Sequence, residues 1–328
     1  MFNRVGRRWK QWVEDKPLMI ALILIILFVI CIICYSILTD KIILVQTVIN
    51  GLIMGGVYGM IAMGLSLIFG VMKIINIWHG ELVVLGAYIT YWLYTRFGIN
   101  PFLSLIMTSL TLLGIGIPVG MFIMNPARKA GIDQPLIVTF GASIALFSLM
   151  RSLWTATPRG ILIKYGTLTL PGGIPISILR LIIIVVAMLG LALTHLFLMK
   201  TYTGKAIRAV AMDRSIASLM GINVDRINAL AYGIGLALAG IAGSLISLML
   251  SFDPASGPLF TNKGFCVIVL GGVGYIPGTF VGGVILGLAE SIGAFILGDA
   301  VRDGIAYMIF LLVLLFKPTG LFAKYRAF

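Results

Sequence analysis

Leu179–Met199 reads LRLIIIVVAMLGLALTHLFLM, and its length decides the class of fold. About 18 or more apolar residues suffice to cross a ~30 Å hydrocarbon core as a helix. Leu18–Leu38 is a second run of this kind. Of the 328 residues 60% are hydrophobic, and the mean hydropathy is +1.11. Soluble domains hold roughly 45–50% apolar residues. The chain therefore reads as all-α, a polytopic transmembrane helical bundle.

Working outward from that run, the spans follow by alternation. Leu18–Leu38 leaves the cytoplasmic side, Thr39-Asp40-Lys41 turns, and Ile42–Met72 returns, too long for one straight helix and broken at Asn50-Gly51. Ile77–Thr95, Phe102–Met124, Pro135–Ala156, Ile176–Met199 and Ile227–Phe252 continue the path. Gly264–Gly274 is short enough to be a half-helix, and Tyr275–Leu297 and Gly304–Phe316 complete about ten membrane segments. Arg151 falls near the outer end of its span and must snorkel or pair. The organisation expected is a basic N-terminus with a first span over 1–41, a core over 42–322 and a short basic tail over 323–328.

The net charge of +13 invites a nucleic-acid reading, which its distribution excludes. Arg4, Arg7, Arg8, Lys10 and Lys16 precede the first span, Lys200, Lys205, Arg208, Arg214 and Arg226 fill one loop, and Lys317, Lys324 and Arg326 close the chain. Basic clusters beside spans mark the cytoplasmic side, so both termini and the 200–226 loop are placed inside. Cys31, Cys34 and Cys266 lie in apolar runs without ligand-spaced neighbours, and no metal site or catalytic residue is expected. The N-terminal apolar stretch is too long for a signal-peptide core and reads as an uncleaved span.

Two glycine ladders, Gly51, Gly55, Gly59 and Gly274, Gly278, Gly282, clear one helix face each for close backbone approach. A ladder in each half hints at an internal duplication. The polar residues at membrane depth are few. His195 sits at the membrane interface, and Glu290 reads as a cap or bridge between helices. Asn50, Asn76, His79, Glu81 and Glu290 are candidates for a gate or solute path. For Asn76-Ile-Trp-His-Gly-Glu81 the competing reading is a brace, with Asn76 as helix cap and Glu81 near the positive end of the dipole. The sequence favours the brace.

Thr203–Arg226, TGKAIRAVAMDRSIASLMGINVDR, is too polar to cross the membrane. Thr203 is expected to cap a helix holding Ala206, Ile207 and Val210, and Asp213 a second one with Ile216, Leu219 and Met220 on one face. Gly221 ends it in the left-handed conformation. The stretch is either a solvated loop or a docking element for a cytosolic partner.

Three separated segments resemble one family. Asn50–Tyr88 (NGLIMGGVYGMIAMGLSLIFGVMKIINIWHGELVVLGAY), Thr203–Ile227 and Val267–Glu290 (VIVLGGVGYIPGTFVGGVILGLAE) are similar, in order, to the permease subunits of branched-chain amino-acid ABC importers, the LivH-like kind. The likeness covers Ile42–Leu321, and Trp78 stands where the family usually has alanine. It implies an importer with two permease chains (a heterodimer favoured over a homodimer), two cytosolic ATPases and a periplasmic solute-binding protein in a bacterial inner membrane. Coupling would run through Thr203, Gly204, Lys205, Arg208, Ala211, Asp213, Arg214, Ala217, Gly221 and Ile222. Gly204-Lys205 is followed by Ala206 and lacks the upstream glycine of a phosphate loop, so ATP and Mg belong to the partner ATPase and no cofactor to this chain. The chain is expected to be a transport subunit and not an enzyme, carrying branched-chain or related amino acids. The alternative is a proton-coupled secondary carrier using Glu81 and Glu290.

Overall fold

The computed structural model describes residues 41–163, 165–170, 174–317 and 320–322. The expected span Leu18–Leu38, the Cys31/Cys34 pair and the 323–328 tail lie outside the described residues. Helix α1 (Lys41–Met72) is followed by α2 (His79–Phe97) and α3 (Pro101–Val119). A π-helical turn at Gly120–Met124 carries α3 into α4 (Asn125–Ala130), and α5 (Gln134–Trp154) follows. A small antiparallel hairpin pairs β1 (Thr167–Leu170) with β2 (Ile174–Ser177), Thr167 opposite Ser177. Next come α6 (Ile178–Lys200), the short α7 (Tyr202–Met212) and α8 (Arg214–Leu219), and α9 (Val224–Met249). The last of the described helices are α10 (Gly257–Gly271), α11 (Ile276–Leu297) and α12 (Arg302–Phe316).

Among the described residues, 6 helices are long and apolar enough to cross a membrane; α2, α10 and α12 are shorter or more polar members of the same bundle. Helix α1 runs through the middle, packed on α11 along one side and on α9 along another, while α9 also carries α2 and α3. Burial follows this arrangement. The most apolar stretch of α1 is 83% buried and that of α9 78%, against 11% in α5.

Several expectations change here. Ile42–Met72 is one continuous helix despite its glycines. In lipid every backbone group must be satisfied within the segment, and the glycines are used on the surface of the helix instead. A Cβ added at Gly51 would lie 2.9 Å from Cα of Leu288, at Gly55 2.6 Å from Cα of Val284, and at Gly59 2.8 Å from the Phe280 ring. Their counterparts on α11 are Gly283 and Gly287, which meet the backbone of Gly59 and Gly55. Gly278 and Gly282 face α10, against Gly271. Gly274 is not on a helix: it has φ +81° in the turn before α11, and its N–H donates to Ser66 Oγ at 3.1 Å. The second ladder thus has two helical members, not three, and the hint of duplication loses its matching half.

The caps also shift. Thr201, not Thr203, caps α7, accepting from the Gly204 N–H at 2.9 Å. Asp213 caps α8, accepting from Ser215 and Ile216 at 2.8 and 3.0 Å. Asn76 does not cap α2: its side chain is drawn to Tyr232 on α9. The short segment expected at Gly264–Gly274 begins at Gly257, because Ser251–Ser256 enters the bundle as extended chain and one 3₁₀ turn.

Candidate functional site

Two helices begin deep in the bundle and their first turns abut. Gly80 N–H, at the start of α2, donates to Thr261 Oγ1 of α10 at 2.8 Å, and the Thr261 hydroxyl donates to the Ile77 carbonyl at 3.0 Å. A side chain on Gly80 would collide with the Gly257 carbonyl, and a Cβ on Gly257 would lie 3.0 Å from the Glu81 carboxyl carbon. Glu81 therefore sits where two helix N-termini converge, and both dipoles present their positive ends there. Its Oε1 accepts from the Ser143 hydroxyl of α5 at 2.8 Å.

His79 and Asn76 are completely buried beside it. His79 Nε2 lies 3.0 Å from the Ile61 carbonyl of α1. A carbonyl only accepts, so that nitrogen carries the proton. Tyr232 donates to Asn76 Oδ1 at 3.3 Å and accepts from Trp78 Nε1 at 2.6 Å, which ties the unusual Trp78 to α9. Asn76 Nδ2, His79 Nδ1 and Glu81 Oε2 are buried with no hydrogen-bond partner among the described residues. Buried polar atoms of that kind are uncommon in native proteins.

Glu290 belongs to a different group. Its Oε2 accepts from Lys263 Nζ at 3.0 Å and from the Tyr58 hydroxyl at 2.9 Å. Lys263 Nζ also donates to Tyr58 at 2.9 Å and pairs with Asp303 at 3.0 Å. The side chains of Lys263 and Glu290 are 4% and 3% exposed, so four helices (α1, α10, α11 and α12) are tied through one buried ion pair. Sequence reading missed Lys263, Tyr58 and Asp303. The available signal is a lone lysine at the head of an apolar run, whose partners lie on other helices. Glu290 Oε1 has no partner among the described residues, and Glu290 lines a cavity of about 340 Å³ together with Asn50. Asn50 and Glu290 thus line one cavity, whereas the side chains of Asn76, His79 and Glu81 turn to three different helices, α9, α1 and α5.

The 200–226 stretch forms a face at one end of the bundle. Gly204, Ala206, Ile207 and Val210 are the buried side of α7, and a side chain on Gly204 would run into Phe197 and Leu198 at the end of α6. Arg214 Nη2 donates to the Val71 carbonyl, the last turn of α1, at 3.0 Å. Burial, with Arg128 nearby, pulls the Arg214 pKa below its usual value. Ala217 is buried, Gly221 has φ +81°, and Ile222 N–H closes the turn on the Ala217 carbonyl at 3.1 Å. Lys205 and Asp213 are exposed, and Thr203, Arg208 and Ala211 half-buried. Met212, Ile216, Leu219 and Met220 point outward, 60–86% exposed. Beside them Asp225 binds Lys129 at 2.6 Å and Arg128 at 3.7 Å.

Residues 47–315 match the family described as branched-chain amino acid transport system / permease component. The chain belongs to that family. The permease is 33% identical over 300 residues to the high-affinity branched-chain amino acid transport system permease protein BraD of Pseudomonas aeruginosa, covering 85% of this chain and 95% of the relative. It is 30% identical over 295 residues to the corresponding protein LivH of Salmonella typhimurium, with the same coverage. LivM of the same organism matches at 22% over 304 residues, covering 82% of this chain and 68% of the relative. The permease is a multi-pass membrane protein of this family, and these relatives lend no support to the proton-coupled carrier.

Proposed function

We propose that this chain is a permease subunit of an ATP-driven importer for branched-chain or related amino acids, energised through the 203–226 face by a separate cytosolic ATPase. The observation that carries the coupling role is the α7–α8 pair. It is fixed to the ends of α6 and α1 through Gly204 and Arg214, yet presents Met212, Ile216, Leu219 and Met220 to the outside. Apolar side chains clustered at a polar membrane end mark a protein contact. A second cytosolic chain that pushes on this face would move α1 directly.

The transported solute is read from family membership and from the names of the relatives. Similarity to both LivH and LivM of one organism supports pairing with a different permease over self-pairing. The full assembly is then two permeases, two ATPases binding ATP and Mg, and a periplasmic solute-binding protein in a bacterial inner membrane. The distribution of basic residues along the sequence supports an orientation with both termini and the α7–α8 face inside.

Reconstitution with the partner ATPase and binding protein tests the coupling role. Leu219→Asp, at an 86% exposed position, is expected to lower ATP-driven uptake at least tenfold while leaving membrane insertion unchanged. Arg208→Glu with Arg214→Glu is expected to act the same way, with added damage from the lost Val71 bond. Uptake at wild-type rates in Leu219→Asp would count against the docking role, and uptake driven by an ion gradient in the chain alone would sink the importer reading.

A further inference from the structure

We propose that the cavity at the end of the bundle opposite α7–α8 is a receiving site for an aliphatic α-amino acid, Arg180 holding its carboxylate and Glu290 its ammonium. At about 340 Å³ the cavity is near the small end of the ~300–1,000 Å³ range of small-molecule sites. Its wall combines three features that such a molecule requires. The first is a cation: Arg180 Nη1 donates to Asn50 Oδ1 at 2.7 Å, and among the described residues no carboxylate lies within ion-pair distance of it. The other guanidinium of the wall, Arg302, is already held by Asp299 at 2.7 Å.

The second is an acceptor. Glu290 Oε2 is occupied by Lys263 and Tyr58, while Oε1 is buried with no partner among the described residues. A buried carboxylate oxygen left without a donor carries a desolvation cost, which an ammonium would remove. The third is an apolar patch, formed by Met54, Ile183 and Met249, against which a branched alkyl side chain can lie. An anion alone would leave Glu290 unanswered, and an amine alone would leave Arg180 unanswered. Arg180 is exposed and Glu290 is buried, and both line the cavity.

This inference rests on the transport reading, since it assigns to the far end of the permease the molecule that family membership suggests. Binding is to be measured directly, with radiolabelled L-leucine and the full-length chain in phosphatidylcholine nanodiscs and, separately, in nanodiscs containing phosphatidylethanolamine. Saturable leucine binding in both lipids is expected, weakened about tenfold or more by Arg180→Gln through loss of a charge-assisted contact. Arg180 is on the surface, so this variant should fold. Asn50→Ala, which frees the guanidinium from its support, is expected to weaken binding less.

Absent leucine binding in the wild type, or unchanged binding in Arg180→Gln, overturns the site. So does binding that appears in phosphatidylcholine and vanishes in phosphatidylethanolamine, which would assign the cavity to a lipid headgroup. ATP-driven uptake by the assembled importer separates the two readings. Wild-type uptake together with unaltered leucine binding in Arg180→Gln removes the site alone. No uptake by the wild-type assembly removes the transport reading, and the binding measurement still decides the site.

Discussion

Helices α1 and α5 are almost equally apolar, yet 83% of the most apolar stretch of the first and 11% of that of the second is buried within the chain. The difference lies in the surface each offers. Helix α1 presents Gly51, Gly55 and Gly59 to α11, where Gly283 and Gly287 let the two backbones touch. Helix α5 has one glycine, Gly141, with open space around it, and it shows Ile137, Phe140, Ile144 and Leu149 to the outside. Where lipid is as apolar as leucine, apolarity drives no helix against another, and close packing by small residues does. Hydropathy finds a span; side-chain size finds its neighbours.

The largest expected effect comes from breaking the seam. Gly55→Leu places a Cβ within 2.6 Å of Val284 Cα and 2.8 Å of the Gly283 carbonyl, an overpacking of about 3 kcal/mol or more. Loss of monodisperse elution from detergent is expected, while Gly141→Leu should elute as wild type. A Gly55→Leu protein that elutes and melts normally would break the comparison.

A second test, of comparable size, concerns the charge inside the central packing. Lys263→Met leaves Glu290 buried without its cation, which costs about 3–5 kcal/mol, and adding Glu290→Gln should restore part of the loss in thermal melts. Equal melting of the single and double variants would show that the pair is not coupled. The smallest effect belongs to α5. Leu149→Ala, at a 54% exposed position, should change stability of the isolated chain by no more than about 0.5 kcal/mol. A clearly larger loss in the two-permease assembly would identify α5 as the subunit face and sharpen the contrast.

Much of the path of the chain was legible from hydropathy. Ile77–Thr95, Phe102–Met124, Pro135–Ala156, Ile176–Met199, Tyr275–Leu297 and Gly304–Phe316 each correspond to a helix whose ends differ by a few residues. The misreadings share one physical origin. Asn76 looked like a cap because local spacing allowed it, but Tyr232, distant in sequence, takes its oxygen. Gly274 looked like a rung because it kept the four-residue spacing, but the chain turns there. Lys263 went unnoticed because its meaning comes from Glu290, Tyr58 and Asp303 on three other helices. Local rules see caps and spans, and only the packed bundle shows which polar groups answer one another.

The bond from Arg214 to the Val71 carbonyl has a mechanical consequence. Helix α1 is about 48 Å long at 1.5 Å per residue, and about 32 Å of it separates the α8 contact at Val71 from Asn50 in the cavity wall. Its glycines are clamped to the backbone of α11, with few intervening side chains to bend or re-pack. A helix held that way behaves as a stiff strut. Any displacement of α8 that shifts α1 drags α11 with it, and the Asn50 and Glu290 walls of the cavity travel together.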